Sequence, residues 1–132
     1  MALKFGVATR NAELDAIETY IGTTPSLKIF TGMAPANCAA ADTGNKLVEL
    51  TLPSDWMAAA AAGVKDKTKT WDGTATVAGD AGYFRIYKST TCEIQGTAGE
   101  SGDTPDLVLD EKTIAVDDVV RVTKFELTEG NA

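Results

Sequence analysis

Histidine is absent from this chain, and its only cysteines are Cys38 and Cys92. The lack of histidine removes a Ser-His-Asp or Cys-His nucleophilic pair, a histidine-bearing zinc site and the usual general base near neutral pH. Two cysteines far apart, with no histidine between them, do not make a zinc site either. No stretch approaches the roughly 20 apolar residues of a membrane helix. The opening MALKFGVATRNAE has no apolar run of signal-peptide length, so synthesis and folding in a cytoplasm are expected, and the two thiols default to the free state. There is no Asn-x-Ser/Thr sequon, no GxxxxGK[ST] loop, and no GxGxxG between a strand and a helix. Basic residues are also few: 12 against 19 acidic ones give a net charge of -7. That balance argues against nucleic acid and against an anionic membrane surface, since both need clustered Lys and Arg.

What is present is one domain's worth of chain, 132 residues, able to bury a core without metal or disulfide staples. Residues 1–24 read as an arm followed by a helix. Leu14, Ile17 and Ile21 recur at helical spacing, Asn11 suits an N-cap, Glu13 and Asp15 sit where the helix dipole favours negative charge, and Gly22 and Pro25 stop the turn. The pattern predicts a helix from about Ala12 to Ile21. From residue 25 to 132 the period changes to two. LKIF (27–30), LVELTL (47–52), TATVA (74–78), YFRIY (83–87), TCEIQG (91–96), DLVL (106–109), TIAV (113–116) and VVRVTKFELT (119–128) read as about eight strands. Turn chemistry at residues 42–45, Asp72-Gly73, 79–82 and 96–106 separates them. Along the last strand Val120, Val122, Phe125 and Leu127 point inward and Arg121 and Lys124 outward, with a slip of parity near Thr123 that predicts a bulge. The fold class is therefore mainly β, a single antiparallel sandwich of jelly-roll or Greek-key type with one short N-terminal amphipathic helix.

Three stretches invite a functional reading. GTAGESGD (96–103) is glycine-bearing but lacks the Lys-Ser/Thr and helix of a phosphate loop. Asp103, Asp106, Asp110 and Glu111 cluster without the spacing of a calcium loop, so a solvated acidic turn is the better reading. Trp56 and Trp71, with Tyr83 and Tyr87, are candidate surface aromatics for a sugar, although aromatics in a sandwich more often fill the core. The run MAAAAAG (57–63) suits either a helix or, preferably, an extended segment that another backbone or another subunit approaches closely. No catalytic residue, cofactor or metal ligand emerges, and enzymatic activity is not expected.

Across nearly its whole length, from about Arg10 to Ala132, the chain resembles small virion structural proteins of tailed bacteriophages. The resemblance is carried by LDAIETYIGTTPSLKIFTGMAPANCAAADTG, LVELTLPSDWMAAAAAG, TWDGTATVAGDAGYFRIYKS, IQGTAG and the closing FELTEGNA. It implies a β-sandwich present in many copies on the virion and made in the host bacterial cytoplasm. The expected role is a capsid decoration or cement protein whose partners are the major capsid protein and itself, as a homo-oligomer such as a trimer. A head-fibre, collar or tail domain that binds host glycans is the alternative. Leu3, Phe5, Leu14, Ile17, Tyr20 and Ile21 are the expected inter-subunit contacts. The competing role for the helix is a cap on its own domain, because a helix of ten residues must pack on something.

Overall fold

The computed structural model describes residues 3–129. The ends of the expected arm (1–24) and β segment (25–132) lie outside the described residues. The order of elements is α1 (Val7–Ile21), β1 (Ser26–Phe30), β2 (Lys46–Thr51), β3 (Val64–Asp66), β4 (Trp71–Thr74), β5 (Gly79–Asp80), β6 (Tyr83–Lys88), β7 (Thr91–Gly99), a 3-10 turn (Ser101–Asp103), β8 (Leu107–Leu109), β9 (Thr113–Ile114) and β10 (Val119–Thr128). The chain is mainly β, with its one long helix at the N-terminus, as the change of period predicts.

Eight strands form one curled sheet in the order β2-β1-β6-β7-β8-β10-β3, with β4 also on β10, and β5 and β9 make a separate ladder. The two edges of the large sheet approach each other. Thr76 N–H donates to the Leu47 carbonyl at 2.9 Å. Gly73 lies so near β2 that a Cβ there would stand 3.1 Å from Leu50 Cγ and 3.2 Å from the Glu49 carbonyl. This explains why Asp72-Gly73 is not the expected turn: the glycine makes room for a neighbouring strand. The strand accordingly occupies Trp71–Thr74 instead of 74–78.

The sheet is mixed, not wholly antiparallel. β7 and β8 run parallel, with Ala98 opposite Leu107 and Gly99 opposite Val108. Parallel neighbours usually need a long crossover. Here a short loop manages it because its own side chains tie it: Asp106 Oδ2 accepts from Thr97 N–H at 2.9 Å, and Thr97 Oγ1 accepts from Asp106 N–H at 3.0 Å. β10 behaves as expected, with a register shift between Val122 and Lys124 and with Val120, Val122 and Phe125 buried.

The core is aromatic. Trp56 is 0 % and Trp71 1 % exposed. Their ring centroids are 6.0 Å apart, and Phe125 lies 5.6 Å from both Trp71 and Phe84. Each indole N–H is satisfied internally, by the Gly22 carbonyl at 3.0 Å and the Thr68 carbonyl at 3.1 Å. These two tryptophans are therefore not surface aromatics. Burying so large an apolar ring is favourable once its one polar atom has a partner.

Helix α1 starts earlier than expected, after Gly6, with no side-chain cap. Asn11, the expected cap, lies inside the helix, where its Oδ1 accepts from Gly63 N–H at 2.9 Å. Gly22, at φ 93°, ends the helix and returns its N–H to the Glu18 carbonyl at 2.9 Å. Such a φ is open to glycine at little cost.

Candidate functional site

Helix α1 docks on the segment 57–66, and polar groups fix it there. Residues 57–61 are non-helical, with isolated bridges Met57–Lys67 and Ala61–Val64, and Ala62 and Gly63, at φ 53° and 76°, make the tight turn between Ala61 and Val64. Side chains of the helix reach this segment, Asp15 at Ala60 N–H and Asn11 at Gly63 N–H, and Gly63 leaves room for the Arg10 guanidinium. Beneath the helix sits Lys65, 1 % exposed. Its Nζ donates to Asp15 Oδ1 at 2.6 Å and to the Ala58 carbonyl at 2.9 Å, and it pairs with Glu18 Oε1 at 2.8 Å. All three ammonium donors are thus used. Asp15 Oδ1 also accepts from Ala60 N–H at 2.9 Å. Asp15 and Glu18 are three residues apart, so they share one helix face and straddle one cation.

A second buried cation, Arg85, is 2 % exposed and lies on the other face of β6. Alternation puts Phe84 and Ile86 in the core, and Tyr83, Arg85 and Tyr87 beneath the loop 31–45. Arg85 donates from Nη1 to Asp42 Oδ1 at 2.7 Å, from Nη2 to the Asn37 carbonyl at 3.0 Å, and from Nε to Gln95 Oε1 at 3.1 Å. Tyr87 Oη donates to the same Asp42 oxygen at 2.5 Å. Tyr83 Oη donates to the Thr43 carbonyl at 2.6 Å and accepts from Thr43 N–H at 2.9 Å. The same loop is tied by a disulfide between Cys38 and Cys92, whose Cα atoms lie 5.2 Å apart. Free thiols, the compartment-based expectation, are therefore corrected: the loop that Arg85 and the two tyrosines hold down brings Cys38 to the start of β7.

A cavity of about 510 Å³ opens beside this loop, walled by Lys28, Asp42, Arg85, Tyr87 and the disulfide. It presents no free aromatic face, since Lys28 Nζ stands 4.3 Å over the Tyr87 ring. With Trp56, Trp71, Tyr83 and Tyr87 all buried, the aromatic sugar platform does not form. The acidic turn is likewise engaged. Asp103 pairs with Lys112 at 3.0 Å, Asp106 bonds Thr97, and Asp110 Oδ1 accepts from Arg121 N–H at 3.3 Å. No group of three or more His, Cys, Asp or Glu side chains is arranged to hold a metal among the described residues.

The residues expected to meet another subunit divide in two. Leu14 and Ile21 are buried within the domain, and Ile17 packs at the edge of the core. Leu14 and Ile21 dock the helix on its own domain, which corrects their assignment as inter-subunit contacts, whereas Ile17 is only partly buried and still lines the outer flank. Leu3 and Tyr20 are 76 % and 60 % exposed, and Phe5 is half-buried. Tyr20 thus does not extend the inward stripe; Lys88 Nζ stands 4.0 Å over its ring. Along this flank runs a groove of about 300 Å³ lined by Ala16, Ile17, Tyr20 and Ile21 and rimmed by Glu13 and Glu93. The Glu13 carboxyl is pushed up, by desolvation first and by its contact with Glu129 second.

The chain matches no family model, no curated protein and no solved structure. No helix among the described residues is long and apolar enough to cross a membrane.

Proposed function

We propose that this chain is a structural protein of a tailed-phage virion, a decoration or cement protein that sits on the outer head surface in many copies and braces major capsid subunits. The setting comes from the resemblance of the sequence. The observation that carries the role is where apolar side chains remain in water. Of the seven exposed large apolar residues among the described residues, Leu3, Val7 and Tyr20 lie on the N-terminal arm and helix, and Lys65 ties that helix to the sheet through Asp15 and Glu18. Meanwhile both buried cations bind pieces of the fold together, and neither faces a nucleophile or an acid–base pair. The contacts proposed to the capsid are accordingly Leu3, Phe5, Ile17 and Tyr20, with Leu14 and Ile21 supporting them from inside.

Bracing of this kind works by linkage. A protein that binds only the assembled lattice favours that lattice by its binding free energy, and it discriminates capsid states by its difference in affinity for them. The test is to purify the particle and count this protein against the major capsid protein. A ratio near one, or one per three, with particles that rupture at lower temperature once stripped, is the expected result. A handful of copies moves the protein to a collar, tail or fibre, and absence from the particle overturns the reading.

A further inference from the structure

The flank groove and the N-terminal arm are complementary, and they belong to opposite ends of the same helix. The groove is apolar on its floor, at Ala16, Ile17, Tyr20 and Ile21, and acidic at its rim, with Glu13 and Glu93. Glu129 adds a further carboxylate near Glu13, and Lys88, over Tyr20, is the cation already there. The arm offers the opposite set: Leu3, largely in solvent, and Lys4 beside it, exposed and engaged in no ion pair among the described residues. A volume of about 300 Å³ is at the small end for a ligand pocket and suits apolar side chains.

The arm cannot lay Leu3 along the floor of its own chain's groove. At about 1.5 Å per residue, Glu13 at the rim lies roughly 10 Å from Gly6, but the floor from Ala16 to Ile21 lies roughly 15 to 22 Å away. The three steps from Gly6 back to Leu3 span about 10 Å even when fully extended. We infer that the groove receives the arm of a second copy, with Leu3 on the apolar floor and Lys4 against Glu13 and Glu93. Two helices laid antiparallel exchange arms reciprocally, so the contact closes on itself as an isologous pair. This assignment concerns the free protein and stands apart from its place on a virion, which is tested by copy number on particles.

The experiment is sedimentation equilibrium of the full chain over a wide concentration range. It compares the natural protein with Leu3→Ser/Lys4→Glu, which alters the arm outside the helix, and with Ala16→Arg, which fills the groove from an exposed helical position. Unchanged circular dichroism, with a cooperative thermal transition matching that of the natural protein at concentrations where both are monomeric, establishes that each variant is folded. The expected result is a species heavier than the monomer, with each variant dissociating at concentrations at least about tenfold higher, the effect of losing one buried Leu side chain or its seat. Reversing the rim with Glu93→Lys in the Lys4→Glu background should recover part of the loss. A natural protein that stays monomeric throughout, or an assembly that neither variant weakens, overturns the inference.

Discussion

Lys65 and Arg85 are both buried cations that fasten an N-terminal segment to the sheet, yet they are built differently. Lys65 holds a helix. The helix supplies its own backbone hydrogen bonds, so two carboxylates on one face, Asp15 and Glu18, are enough to seat it. A compact ammonium with three rotatable donors meets that need. Arg85 holds a loop. Residues 31–45 have no regular ladder of their own, so the planar guanidinium fork reaches three separate acceptors, two tyrosine hydroxyls add more, and a disulfide closes the arrangement. A regular element is docked by side chains, whereas an irregular one must be held at many points and here covalently as well. Burying either charge is costly, and the hydrogen bonds to Lys65 Nζ and to each nitrogen of the Arg85 guanidinium are what offset the cost.

Removing the covalent element is the largest way to break this comparison. With 54 positions between Cys38 and Cys92, loop-closure entropy puts the disulfide at about 4 kcal/mol. The double substitution Cys38→Ser/Cys92→Ser should lower stability by about that much in urea unfolding. In native-state hydrogen exchange the protection of Thr43 should fall further than that of Ala60, which lies on the helix side. Equal losses at the two amides would mean that loop and helix open together. Next in size is Lys65→Ala. It strands two carboxylates that are partly open to water, so the loss should be about 2–3 kcal/mol, below that for a fully buried pair. Lys65→Met keeps the volume but strands the same two carboxylates, so in the same titration it should recover only the packing share of that loss. If methionine were as damaging as alanine, the clasp would act through its charge and not through its packing.

These two clasps also separate what was legible in the sequence from what was not. Alternation in YFRIY already places Arg85 with Tyr83 and Tyr87 on one face, and the parity slip at Thr123 marks the bulge of β10. Such features are local, and local periodicity reports them. Lys65 stands in a lysine-rich stretch that looks solvated, and its partner Asp15 is 50 positions away. Only the docking of the helix makes that lysine special. The parallel pairing of β7 and β8 was hidden for a similar reason. A glycine-rich gap announces a loop, but the direction of the returning strand depends on how Thr97 and Asp106 tie it. Compartment alone points Cys38 and Cys92 to free thiols, whereas their pairing depends on the folding of the 31–45 loop over β6 and β7, which no local pattern reports. The two tryptophans fell to the core-filling reading because burial needed only one carbonyl for each indole.

Acid distinguishes the clasps with the smallest perturbation. The bond from Lys65, and after it the Ala60 N–H, hold the Asp15 carboxyl below the usual carboxylate range. A depressed carboxylate contributes stability above its unfolded pKa of about 3.9 and loses it as pH falls through the folded value. Burial alone pulls Lys65 down, but its bonds to Asp15 and Glu18 outweigh that, and its net shift is upward. Its contribution is complete below about pH 10.4 and is lost as pH rises through the folded value. The helix clasp therefore weakens at both extremes. The disulfide that backs Arg85 carries no titrating proton. Lowering pH from 7 to 3 should reduce exchange protection at Ala60, whose acceptor is Asp15, more than at Thr43, whose acceptor is the Tyr83 hydroxyl. Asp15→Asn should abolish that difference between the two amides by removing the titrating group. If Ala60 in the Asp15→Asn protein kept the acid sensitivity of the natural chain, the acid response would arise outside the Lys65 clasp, and the two cations would no longer mark independent points of attachment.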